Sequence, residues 1–254
     1  MSWEFTGGRA LAGFFVLLVV LAVPFWVAGA LTGTTLARGL PLSALMFVVP
    51  AVAAAIITYR RAGAGGVRRL WARTFGPGER GRRAWPVAAA LLPPALAVVC
   101  SAVTLPFGPP NALTAMPLLT APLLVVVFLL AAACEEAGWT AFATDPLNDR
   151  LGPLRTGLLL GVIWGVWHFV PLAQAGHSVV WIAWWFLGTV AARVVIVWLY
   201  LEAGRAGPAA VLFHCMLNAA AYNYGPTHAL AVSAIVMSVV AAAAALPWRA
   251  GVRV

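Results

Sequence analysis

Pro117-Leu-Leu-Thr-Ala-Pro-Leu-Leu-Val-Val-Val-Phe-Leu-Leu-Ala-Ala-Ala-Cys-Glu-Glu-Ala-Gly-Trp-Thr-Ala-Phe-Ala143 reads as a membrane-spanning helix that carries two carboxylates side by side. A carboxylate at the bilayer centre costs about 2.5–3.5 kcal/mol on insertion scales. Glu135 and Glu136 are therefore expected to face protein, water or a partner rather than lipid. The other five acids, Glu4, Glu79, Asp145, Asp149 and Glu202, fall at segment ends or in connections.

Outward from that stretch, composition decides the class. The chain is 63% hydrophobic and 9% charged, against roughly 25% charged in soluble domains. So few charges cannot cover a water-exposed surface. An all-α polytopic bundle follows, one integral membrane domain over 1–254, with a motif-bearing core at 118–222. Eight spans are expected: Ala10–Leu31, Leu40–Tyr59, Trp85–Leu105, Leu118–Thr144, Leu154–Leu172, Val179–Leu201, Gly207–Tyr222 and Ala229–Leu246. Breaks such as Pro106-Phe-Gly-Pro-Pro110 and Tyr224-Gly-Pro226 separate some of them. The seventh is short and suits a position partly buried in protein. Val27-Ala-Gly-Ala30 resembles a signal cleavage site, but the weakly charged flank ahead of it and the length of the segment suit a retained span.

All sixteen basic residues are arginine, and the net charge is +9. Eight arginines crowd residues 60–84, which reads as a cytoplasmic loop near anionic head groups. With that loop inside, alternation puts fourteen of the sixteen arginines on the cytoplasmic side. Only Arg38 falls outside, and Arg193 lies within a span. A multi-pass protein of the cell membrane with both termini cytoplasmic is the expectation. This placement accounts for the positive charge without nucleic-acid binding. Cys100, Cys134 and Cys215 all fall in apolar runs and read as small hydrophobes, not a disulfide framework.

The same topology sets depth. Measured from the cytoplasmic ends, Glu135, His168 and His214 lie roughly 14, 21 and 11 Å along their helices. Three side chains from three helices can thus meet in the cytoplasmic half or near the midplane. Asn218 follows His214 by one turn and shares its face. Adjacent Glu135 and Glu136 point about 100° apart, so one is expected at the chemistry and the other in support. Two chemistries stay open. A carboxylate and an imidazole can activate water, while a histidine and a carboxamide steady an oxyanion. Alternatively, Glu135, His168 and His214 are competent ligands for a divalent metal such as zinc, with room for water.

These residues stand in three short motifs. Glu135-Glu136-Ala-Gly-Trp-Thr140, Trp164-Gly-Val-Trp-His168 and His214-Cys-Met-Leu-Asn218 occur in that order. At them the chain resembles the CPBP family of CAAX-processing and bacteriocin-processing intramembrane proteases. The resemblance implies an eight-helix bundle with a conical cavity. It implies that Glu135 and His168 activate water, that His214 and Asn218 stabilise the oxyanion, and that Glu136 supports them. The substrate would be a membrane-associated peptide or protein, of CAAX or bacteriocin type. The family's arginine in the first motif stands here as Thr140, so Glu136 needs a cation from elsewhere. Arg193 is expected to supply it. A non-catalytic bacteriocin-immunity or scaffold protein and a proton-coupled transporter are the rival readings. The transporter requires polar residues to continue to the outer face, where the sequence has few.

Four further expectations concern the surroundings. Asp145, Asp149, Arg150 and Arg155 read as a solvated connection. His177 and His228 read as solvated too. Trp181, Trp184 and Trp185 read as an interfacial aromatic belt. Cys134 and Cys215, next to Glu135 and His214, diverge from them on their helices and are not expected to act as thiolates.

Overall fold

In a computed structural model the chain is described over residues 7–37, 40–78, 84–107, 121–221 and 227–249. Among the described residues ten α-helices follow one another: α1 Gly8–Thr32, α2 Val49–Phe75, α3 Ala84–Thr104, α4 Ala121–Gly138, α5 Asp145–Leu151, α6 Pro153–Trp167, α7 Phe169–Gln174, α8 Val179–Glu202, α9 Gly207–Ala220 and α10 Thr227–Arg249. A short hairpin, β1 Thr35–Ala37 with β2 Leu40–Pro41, and a 3₁₀ turn at Leu42–Val48 link α1 to α2. Among the described residues, seven helical segments are long and apolar enough to cross a membrane, and Gly207–Ala220 is a shorter apolar helix. At 14 residues, α9 is about 21 Å long, short of a hydrocarbon core of about 30 Å. It is covered by α3, α4 and α8.

The bundle turns apolar side chains outward as well as inward. Val16, Leu31, Leu91, Leu123, Leu130, Val239 and Leu246 are all exposed. This suits hydrocarbon, where the helix satisfies its own backbone and the surface has no call for charge. Among the described residues, two larger cores lie inside beside a smaller cluster at Ala132, Ala133, Val211 and Cys215. One joins Phe14, Leu18, Met46, Trp139, Phe142, Leu160 and Trp164. The other joins Ala89, Val195, Ile196, Leu199, Ala210 and Phe213.

Helix α6 lies on α8 through a glycine stripe. Gly157, Gly161 and Gly165 are spaced by one turn. A Cβ on Gly157 would stand 2.9 Å from Val194 Cα, and one on Gly161 2.9 Å from Val190 Cα and 3.2 Å from Arg193 Cβ. Small residues at this spacing let two membrane helices approach to backbone contact.

Several elements differ from expectation. The second helix does not stop at Tyr59. It runs to Phe75, with a break at Gly63 (φ 59°, ψ −163°). Glycine accepts that left-handed φ at little cost, and arginine is a good helix former. Much of the expected loop at 60–84 is therefore helix, although residues 79–83 lie outside those described. The fifth span is not continuous either. It breaks at His168, and α7 follows. The seventh ends at Ala220, and Tyr222 lies outside the described residues.

The fourth span continues past Thr144 to Leu151 through a π-helical stretch, Trp139–Thr144. Thr144 Oγ1 donates to Trp139 O at 2.9 Å, five residues back. The reason for the wider winding is visible on α8. Arg193 and Tyr200 are seven residues apart and share one stripe of that helix. Glu136 bonds to the first and Asp145 to the second. Nine residues of uniform α-helix at about 100° each would set Glu136 and Asp145 on opposite faces. The π stretch, with bonds to i+5, winds less per residue and brings both toward α8.

Asp145 is thus not solvated. It is fully buried, and its Oδ2 accepts from Arg73 of α2 and, at 2.8 Å, from the Tyr200 hydroxyl. Arg205, in the α8–α9 turn, lies 3.4 Å from Oδ1. A buried carboxylate persists when it is paired and hydrogen-bonded, and the continued α2 helix supplies the arginine that does this. Asp149 remains exposed.

Candidate active site

Four helices carry polar groups into one buried cluster. Glu136 of α4 is 1% exposed and Arg193 of α8 is 0% exposed. Arg193 Nη1 donates to Glu136 Oε2 at 2.8 Å. Thr140, one turn on, donates its hydroxyl to the same oxygen. His214 Nδ1 of α9 lies 2.8 Å from Glu136 Oε1. Both carboxylate oxygens of Glu136 are therefore occupied by protein, as befits a supporting group. The cation that reaches it comes from α8, and the small hydroxyl at position 140 leaves room for that approach.

Glu135 has a different environment. It is 4% exposed, and its Oε2 accepts from the indole Nε1–H of Trp164 at 2.6 Å. Adjacent positions on one helix point in different directions, so one glutamate meets a cation and its neighbour a neutral donor.

His168 owes its orientation to the helix break. Its backbone N–H turns to Gly165 O, at 3.1 Å, instead of Trp164 O. The Trp164 carbonyl is thereby released, and His168 Nδ1 lies 2.9 Å from it. A carbonyl can only accept, so Nδ1 carries the proton and Nε2 of the neutral ring has a free lone pair. His214 presents Nδ1–H to the Glu136 carboxylate, and its Nε2 is not part of that bond. His168 lies within electrostatic range of Glu135, His214 and Arg193. Asn218 is half-buried one turn beyond His214 on α9. It joins none of these hydrogen bonds among the described residues.

Aromatic rings enclose the cluster. The His168 ring lies 4.9 Å from Trp167, 5.7 Å from Trp164 and 5.3 Å from Trp185. Trp185 thus belongs to the site wall, not to a belt. Trp181 is buried as well, stacked on His177 at 3.6 Å, which leaves His177 half-covered instead of solvated. Sequence reasoning gave no role to Trp164 beyond its place in a motif. Its polar tip amid two acids and two imidazoles was the available signal.

No group of three or more His, Cys, Asp or Glu side chains among the described residues is arranged to hold a metal ion. Glu136 and both Nδ1 atoms are engaged by protein, and Glu135 Oε2 is engaged by Trp164. The expected trio Glu135, His168 and His214 is not such a group. What these hydrogen bonds leave unused is one Glu135 oxygen and two imidazole Nε2 atoms, groups of the kind that water activation requires.

Residues 117–220 match a family model described as Type II CAAX prenyl endopeptidase Rce1-like. That segment contains Glu135, Glu136, His168, Arg193, His214 and Asn218. A curated protein of Methanococcus maripaludis named CAAX prenyl protease 2 is 28% identical over 101 residues, 36% of this chain and 37% of that protein. The chain thus matches little more than a third of the length of this relative.

Proposed function

We propose, for a chain whose residues 117–220 match the Type II CAAX prenyl endopeptidase Rce1-like family model, that it is an endopeptidase hydrolysing a peptide bond in a membrane-associated peptide or protein. The observation that carries this reading is the division of labour between two adjacent glutamates. Glu136 is saturated by Arg193, Thr140 and His214, whereas Glu135 has one oxygen held by a neutral donor.

Each residue then has a defined task. A water between Glu135 and His168 Nε2 gives a proton to Glu135 as its oxygen attacks the scissile carbonyl carbon. The carbonyl oxygen takes the negative charge and is met by His214 Nε2–H and the Asn218 amide. Glu136 holds His214 from behind through Nδ1–H, the arrangement by which a carboxylate stabilises an imidazolium. The tetrahedral centre collapses, the C–N bond breaks, and the proton on Glu135 passes to the leaving amine. Burial excludes bulk water and strengthens every one of these interactions. The arginine-rich ends of the bundle, α2 beyond Gly63 and the α8–α9 turn, lie on the cytoplasmic side with both termini. Substrate of CAAX or bacteriocin type reaches the cluster from the membrane.

The test is a comparison of cellular peptidomes at equal expression of wild type, Glu135→Ala and Glu135→Gln. An uncut precursor should accumulate in both variants, and its cleavage in vitro should slow by about 10³-fold. Identical peptidomes over several growth conditions would overturn the proposal and leave a binding protein that protects without cutting.

A further inference from the structure

We infer that Trp164 is the positioning residue for Glu135, an inference that rests on the proposed peptidase reading. The indole N–H fixes one carboxylate oxygen so that the other faces the water, and the ring screens this carboxylate from Arg193.

Four contacts made by one residue carry the argument. The Nε1–H donates to Glu135 Oε2 at 2.6 Å, at the short end for an N–H···O bond. The backbone carbonyl accepts from His168 Nδ1. The ring lies under Arg193, with Cζ 4.1 Å from its centroid. Its edge meets His214 at 5.0 Å and 77°. Trp164 is thus in contact with the base, both imidazoles and the buried cation.

The choice of an indole has a physical reason. A glutamate that is bidentate to arginine is a weak base and a poorly mobile one, because a charged donor favours its ionised form and holds both oxygens. An indole has a single N–H and no charge. It orients a carboxylate without neutralising it. The face of the same ring holds the guanidinium by cation–π attraction, which keeps Arg193 on Glu136. A phenylalanine would keep the screen but lose the donor. A lysine or arginine would keep a donor but neutralise the base.

Placement of Trp164 follows from the glycine stripe. Gly161 and Gly165 flank it and bring α6 against α8 at the level of Arg193.

The experiment uses the full-length protein in detergent micelles or nanodiscs. The chain has twelve tryptophans, so its ¹⁵N-labelled indoles should give twelve N–H signals. Trp164→Phe should delete one of them and identify it. Glu135→Gln should move that same signal, because a neutral amide is a weaker acceptor. Cleavage of the precursor that accumulates in Glu135→Ala cells should fall about 10²-fold in kcat in Trp164→Phe, with KM within about twofold and the unfolding temperature unchanged. Should Trp164→Phe fail to fold, Glu135→Gln alone decides, since it should displace one indole signal strongly. An indole spectrum insensitive to Glu135→Gln, or a Trp164→Phe enzyme with undiminished kcat, overturns the assignment. Failure of the peptidase reading shows separately, as unchanged peptidomes alongside a signal that still responds to Glu135.

Discussion

Arg193→Leu will strip the buried Glu136 carboxylate of its guanidinium partner and cost the fold about 3–5 kcal/mol. Neither partner has access to water for relief, since their side chains are 0% and 1% exposed. Thr140 and His214 would remain, but a hydroxyl and an imidazole do not replace a guanidinium in a medium without counterions. The resulting fall in unfolding temperature should be about 10 °C for a chain of this size. Two of the molecule's thiols report it, because Cys100 and Cys215 are buried and react with a maleimide dye only on unfolding. Replacing both partners, Arg193→Leu with Glu136→Leu, should recover most of the stability, as apolar substitution of a whole buried pair is often neutral or better. Activity should not return, because His214 would have lost the acceptor of its Nδ1–H. An Arg193→Leu protein that unfolds at the wild-type temperature would show that Glu136 draws nothing from the pair.

Gly161→Val should be comparably severe by a different route. The new Cβ would stand 2.9 Å from Val190 Cα and 3.0 Å from Val190 O. Those atoms are backbone of α8 and have no rotamer to escape into. Overpacking in this setting lies at the upper end of its usual range, about 3 kcal/mol. The damage should also reach the chemistry, because parting α6 from α8 draws Trp164 and His168 away from Arg193. Gly165→Ala should be milder, since there the obstacle is the Phe186 ring at 2.5 Å, a side chain that can turn. Gly8→Val serves as control, with nothing within 4 Å of the added group. The same dye-based unfolding measurement ranks all three. If Gly161→Val matched Gly8→Val, close approach of α6 and α8 would not matter.

How much of this could be read in advance differs from residue to residue. The bundle was legible from composition and run length, because a chain with 9% charged residues and apolar runs of about 20 residues satisfies its backbone in a membrane as helices. The meeting of Glu136 with Arg193 was legible by elimination, since a buried acid seeks a cation and the spans contain one. Asp145 was not. Its neighbours Pro146, Asn148, Asp149 and Arg150 read as a wet connection, and its partners Arg73 and Arg205 come from segments more than fifty residues away on either side. The break at His168 had a local sign, Pro171, which has no N–H to give to the turn before it. The spacing of Gly157, Gly161 and Gly165 was equally open to reading. The π stretch had no sign at all. Trp139-Thr-Ala-Phe-Ala-Thr144 is ordinary apolar helix by propensity, and its winding is imposed from outside by two partners on α8.

That winding has a consequence for which changes the segment tolerates. Residues 139–144 include no member of the proposed hydrolytic set, yet they fix the angular phase between Glu136 and Asp145. They act as a vernier between two gears. Exchanging one apolar side chain there for another leaves the phase intact. Removing or adding a single residue advances every later position by about a quarter turn, and a tooth that had meshed with Tyr200 would face lipid. Length, more than composition, is what this short stretch contributes.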